Sequence, residues 1–216
     1  MQLFNGAGEL LSAWEWEYGR VRALGWTPAV ELVCVLESGR VMLWSLRGAR
    51  VADFALGEHI DNQGVLQCEI FSEGFVVLTS AFRLFALLSF AQRTIVPLAD
   101  PRLASPPTAM AVLERKSAAA AAASTASGAD PLEGAPLPRC PDVLLATASR
   151  TILVVDERDA HDQLLASGPF LRLAPSPNGQ FIAAFAASGA LLVIASDFSR
   201  HISELSTNSP RPPRQL

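Results

Sequence analysis

Catalytic signatures are missing from this sequence, charge is scarce, and basic residues do not outnumber acidic ones. Only 18% of its 216 residues are charged and the net charge is −4, so the basic excess of a nucleic-acid or anionic-membrane surface is excluded. Gly-x-Ser-x-Gly, Ser-x-x-Lys and phosphate-cradling Gly-Lys-Ser/Thr patterns do not occur. His59, His161 and His201 lack the His-x-x-x-His or Glu-x-x-His spacing of a metal site and read as solvated histidines in or beside loops. The 156–159 cluster, Asp-Glu-Arg-Asp, has no glycine where a calcium loop turns sharply, so a solvated turn is the better account. Cysteine is scarce and odd in number. Cys34 and Cys68 fall in expected strands, Cys140 sits at a linker edge, and no Cys-x-x-Cys pair exists. Reduced, mostly buried thiols are favoured over a disulfide. The sequence thus singles out no catalytic, cofactor-binding or metal-ligating residue, and it names no partner-binding residue.

Long hydrophobic runs are also wanting. The start of the chain has neither a basic n-region nor an apolar stretch of signal-peptide length. Residues 75–91 carry Arg83 at their centre, and residues 181–195 number 15, short of the roughly 20 a spanning helix needs. Both runs have turn signals at their midpoints and read as buried strand pairs. No Asn-x-Ser/Thr glycosylation acceptor occurs; the nearest approach, at 208–210, is Asn-Ser-Pro.

Half the residues are nevertheless hydrophobic, and they are arranged. Residues 31–46 (ELVCVLESGRVMLWSL) form two short apolar runs hinged at Ser38-Gly39, a β-hairpin pattern rich in the residue types that fit a pleated surface. Val33, Val35, Val41 and Leu43 are its expected core. Residues 74–90, 142–156 and 180–196 repeat the pattern, the last with Ser188-Gly189 in the place of Ser38-Gly39. The turns at 39, 81, 149 and 189 lie 42, 68 and 40 residues apart, and excising the Ala/Ser tract 115–139 brings the middle interval to 43. Strands are expected to enter the hairpins at 21–26, 65–71, 108–114 and 170–173. Others should leave them at 50–56, 93–98, 163–166 and 201–205, with 57–64 a polar loop. Residues 3–16 read as the tail of an earlier unit turning at Asn5-Gly6.

Four strands in about 42 residues is the period of a β-propeller blade. The predicted fold is therefore all-β: a partial β-propeller of about four four-stranded blades plus a fragment, truncated at both ends, spanning 1–216 as one domain. The tract 115–139 is a low-complexity insertion expected to be disordered and dispensable for the blade, with a partner-docking helix as the alternative. Trp14, Trp16, Trp26 and Trp44 are expected to pack between blades rather than to anchor a partner.

A propeller enzyme would gather polar side chains where the innermost strands begin. Those positions, Val21, Val65, Thr108 and Phe170, are mainly apolar, so no enzyme is expected. A WD-repeat-like propeller adaptor in another pathway is the remaining alternative, against which the missing Gly-His…Trp-Asp signature weighs.

The order Leu24-Gly25-Trp26, then ELVCVLESGRVMLWSLRG, then VLQCEIFSEGFVVLTSAFRLF resembles the amino-terminal region of the vacuolar protein sorting-associated protein 16 family. A weaker likeness runs through PDVLLATASRTILVVD to residues 212–215. The resemblance implies a non-enzymatic scaffold subunit of the HOPS and CORVET tethering complexes, acting in endosome-to-vacuole or lysosome trafficking and SNARE-mediated membrane fusion, without a cofactor. It also implies a cytoplasmic protein held peripherally on late-endosomal and vacuolar membranes by its complex. The family's carboxy-terminal α-helical solenoid, which holds a Sec1/Munc18-like subunit, has no counterpart in 1–216, so no partner site carries over to a residue here.

Overall fold

The two apolar runs about Ser38-Gly39 become β4 (Leu32–Leu36) and β5 (Arg40–Trp44), paired antiparallel with Val35 opposite Val41. Their loop, residues 37–39, is three residues long: the Gly39 amide donates to Leu36 O (3.1 Å), and Gly39 sits at φ 83°. A three-residue loop of this kind needs its last residue in the left-handed region, which glycine enters without a Cβ clash. The Ser188-Gly189 loop repeats this, with Gly189 at φ 86° and its amide 3.0 Å from Ala186 O.

The computed structural model describes residues 1–114, 140–149, 151–165 and 167–206. The expected insertion 115–139 lies outside them, as does the segment 207–216. Two compact units divide the chain, Met1–Pro97 and Leu98–Leu216.

In the first unit, a two-stranded sheet of β1 (Gln2–Phe4) and β2 (Leu10–Ala13) precedes two four-stranded antiparallel sheets. Blade one joins β3 (Val21–Trp26), β4, β5 and β6 (Arg50–Ala55) in that order. Blade two joins β7 (Val65–Ile70), β8 (Phe75–Thr79), β9 (Leu84–Leu87) and β10 (Ile95–Pro97). Between the blades, residues expected as a polar loop contain a helical turn, α1 (Glu58–Asp61). The correction has a physical cause: Ile60 is buried in the core that the two blades share, and Gly39 packs against its side chain. One apolar residue among polar neighbours leaves no periodicity to read.

The first strands of the two blades, β3 and β7, run beside each other. At Gly25 a Cβ would come within 2.7 Å of the Ile70 side chain. The glycine between Leu24 and Trp26 thus lets the two strands approach.

The second unit holds blade three, β11 (Ala109–Leu113), β12 (Asp142–Ala146), β13 (Thr151–Val155) and β14 (Ala160–Leu164). Blade four follows as β15 (Phe170–Pro175), β16 (Phe181–Ala186), β17 (Ala190–Ala195) and β18 (His201–Ser206). β14 begins three residues before the expected 163. Its early residues, Ala160-His161-Asp162, are half-buried or exposed and carry no apolar signal. A shared core of Leu113, Leu144, Ile152, Phe170, Ile182 and Ile194 joins the two sheets.

The expected hairpin core is in place: Val33, Val35 and Val41 are fully buried and Leu43 nearly so. Each such side chain contributes roughly 1.5–3 kcal/mol by leaving water.

Candidate interaction surface

Where an enzyme of this architecture would gather its chemistry, the structure places backbone stitching. The first strands of blades three and four, β11 and β15, run side by side. The Thr108 hydroxyl lies 2.6 Å from Phe170 O and 3.1 Å from Ala146 O, so one side chain contacts carbonyls of both blades. Val65 at the start of β7 is buried, and its amide donates to Glu37 O of blade one (2.8 Å). Val21 is half-buried and Phe170 fully buried.

His59 on α1, His161 on β14 and His201 on β18 are exposed. Among the described residues no group of three or more His, Cys, Asp or Glu side chains is placed to hold a metal ion. Asp156 is a turn residue: its Oδ1 accepts from the Arg158 amide (2.7 Å) and the Asp159 amide (2.8 Å). The cysteines are free thiols, Cys34 buried, Cys68 and Cys140 half-buried. Burial pushes all three upward, Cys34 and Cys140 to about 12, so none is a ready thiolate at neutral pH.

Three of the four tryptophans pack as expected. Trp14 stacks on Trp44 with centroids 4.8 Å apart, Trp16 lies 6.5 Å from Trp44, and Tyr18 closes the group at 5.9 Å. Leu3, Leu32, Cys34 and Met42 complete this cluster, which seats the β1–β2 sheet on one face of blade one. Trp26 is the correction. It is 47% exposed, because the two-stranded sheet does not extend over β3.

The charged surface is ordered locally. Asp53 on β6 accepts from Arg40 Nε and Nη2, both at 2.6 Å, and from Arg50 Nη1 at 3.1 Å. The forked bond from Arg40 holds the Asp53 carboxyl below its usual range, against a smaller opposing desolvation. Arg22 pairs with Glu37 across β3 and β4.

Two grooves went unnoticed in the sequence. One, of about 330 Å³, lies in the first unit between Thr27-Pro28, Val51 and the loop holding Phe90 and Arg93. The other, of about 710 Å³, lies in the second unit between the 99–105 segment and blade three, lined among others by Arg102, Arg158, Asp159, Asp162, Thr147 and Ser149. Irregular segments build one wall of each, and no hydrophobic period marks such segments.

Blades of four antiparallel strands, stitched at their first strands, define the class as a β-propeller-type fold. The Neurospora crassa Pan2 WD40 domain resembles the chain with a TM-score of 0.54 over 87% of this chain and 50% of that one, at 13% identity, a likeness of fold. The family model described as Vps16, N-terminal region, matches residues 1–216, and the chain belongs to that family. Among similar proteins, the vacuolar protein sorting-associated protein 16 homolog of Dictyostelium discoideum is 27% identical over 92% of this chain. A probable homolog of the same protein in Schizosaccharomyces pombe is 28% identical over 94%. Protein VACUOLELESS1 of Arabidopsis thaliana is 24% identical over the whole chain. The chain spans only 22–26% of the length of these relatives.

Proposed function

We propose that residues 1–216 serve vacuolar protein sorting as a non-catalytic interaction scaffold, the propeller portion of a HOPS- or CORVET-type tethering subunit. The observation that carries the reading is the family match over the full stretch. The buried hairpins support it: the side chains at the blade centres are committed to packing. On this reading the protein works in the cytoplasm, peripheral on late-endosomal and vacuolar or lysosomal membranes, and assists SNARE-mediated fusion through its complex. Its partners are the other tethering subunits, including a Sec1/Munc18-like protein. The likeness to a WD40 domain is one of fold and does not favour an adaptor role elsewhere.

Affinity purification of the full-length gene product tests this. Co-purification of tethering subunits and a Sec1/Munc18-like protein, with enrichment on vacuolar membranes, is the expected result. A stable assembly lacking every such subunit would overturn it.

A further inference from the structure

A proline after a serine or threonine is what proline-directed protein kinases read. It holds the preceding residue extended, as a kinase cleft requires, and it has no amide N–H of its own. A cleft that offers no acceptor at that position rejects other residues, whose amide would be buried unpaired. The described residues contain three such pairs, Thr27-Pro28, Ser105-Pro106 and Ser176-Pro177. The fold treats them differently.

Two of the three hydroxyls are committed to turns. Thr27 is buried, and its Oγ1 accepts from the Glu31 amide (3.2 Å) in the loop between β3 and β4. Ser176 is half-buried between β15 and β16, where its Oγ accepts from the Phe181 amide (3.0 Å) and donates to Asn178 Oδ1 (2.6 Å). Neither can enter a kinase cleft unless its turn opens first.

Ser105 is placed otherwise. The segment leading from β10 to β11 is fastened at both ends, the Ala99 amide to Asp156 O (3.0 Å) and the Thr108 amide to Ala146 O (2.8 Å), with Pro101 and Pro107 buried as anchors. Between the anchors Arg102, Ala104, Ser105 and Pro106 are exposed, and no strand takes them up. Among the described residues the Ser105 hydroxyl has no hydrogen-bond partner. A surface segment without ladder bonds is one that an enzyme draws into its cleft at little cost.

We propose that Ser105 is a phosphorylation site for a proline-directed protein kinase. Ser105 Oγ attacks the γ-phosphorus of ATP; the Oγ–P bond forms as the bond to the ADP oxygen breaks, and the hydroxyl proton passes to the aspartate of the kinase. The phosphate brings a charge of about −1.5 to −2 at neutral pH. It falls on the larger groove of the second unit, which Ser105 lines together with Arg102, Arg158, Asp100, Asp159 and Asp162. Two arginines against three aspartates leave that groove nearly balanced, and the phosphate turns it acidic, so basic ligands gain there over acidic ones. This proposal is independent of which tethering partners the protein has.

Incubation of the folded full-length protein with ATP and a proline-directed kinase, with phosphopeptides mapped by mass spectrometry, tests it. Ser105 should be labelled at least about tenfold faster than Thr27 or Ser176, whose turns must open first. Short peptides spanning the three sites should all be accepted, which shows that the fold makes the choice. Ser105→Ala, at an exposed position, should abolish the signal, and Pro106→Ala should slow labelling of Ser105 about tenfold or more through the amide it restores. Protein isolated from cells should carry phosphate on Ser105, and an inhibitor of proline-directed kinases should remove it. Labelling of Thr27 or Ser176 as fast as Ser105 in the folded protein would overturn the proposal, as would a Ser105 that is accepted in the peptide and silent in the folded chain. So would labelling indifferent to Pro106→Ala, since that would assign Ser105 to a kinase of another class.

Discussion

The hairpins of blades one and four share a turn and differ in their surroundings. Both close a three-residue loop on Ser-Gly with the glycine at positive φ. In blade one every residue of β4 is buried, because the β1–β2 sheet covers one face and blade two the other. In blade four burial alternates over residues 181–184 and 191–194. Ile182, Ala184, Leu192 and Ile194 are buried against blade three, whereas Phe181, Ala183, Leu191 and Val193 are half-buried. Both faces are apolar in each hairpin, so the turn and the strands follow from local sequence while the cover does not.

The largest effect should come from cutting the same side chain in both places. Leu43→Ala in blade one should cost about 2–5 kcal/mol, the range for buried cavities, and Leu191→Ala in blade four clearly less. Denaturant titrations compare the two, and equal losses would erase the distinction. Next comes the seam. Gly25→Val should cost about 1–3 kcal/mol by overpacking against Ile70, and Ile70→Ala in the same chain should recover part of it, read as a double-mutant cycle in thermal melts. Without recovery, β3 and β7 do not meet there.

The smallest effect belongs to the exposed face of blade one. The folded-state pKa of Asp53 is lowered, so its contribution is present above the unfolded carboxylate pKa and is lost as pH falls through the folded value. Asp53→Asn should destabilise by at most about 1 kcal/mol at neutral pH, with the gap closing in acid. A gap that persisted at low pH would place the effect in packing instead of charge.

What was legible in the sequence follows from burial. β3 has the expected boundaries although its residues are half-buried or exposed, and the two runs about Ser38-Gly39 became β4 and β5 because strands buried on both faces leave apolar runs that a turn interrupts. β14 was misplaced because outer strands face solvent with residues such as His161 and Asp162. α1 was missed because one buried side chain, Ile60, sets it. The fate of the tryptophans depended on partners distant in sequence: Trp44 meets Trp14 across thirty positions, while Trp26, equally apolar, meets no cover. No local pattern separates them.

Thr108 bears on the order of folding events. β12 and β13 are joined by a few residues and can zip early, but β11 must pair with β12 across everything between Leu113 and Asp142. Closing so wide a loop is an entropic toll that a short hairpin does not face. β11 should therefore be the late-arriving strand of its sheet. Because the Thr108 hydroxyl beside it reaches both Ala146 O and Phe170 O, its arrival would lock two blades in a single kinetic step.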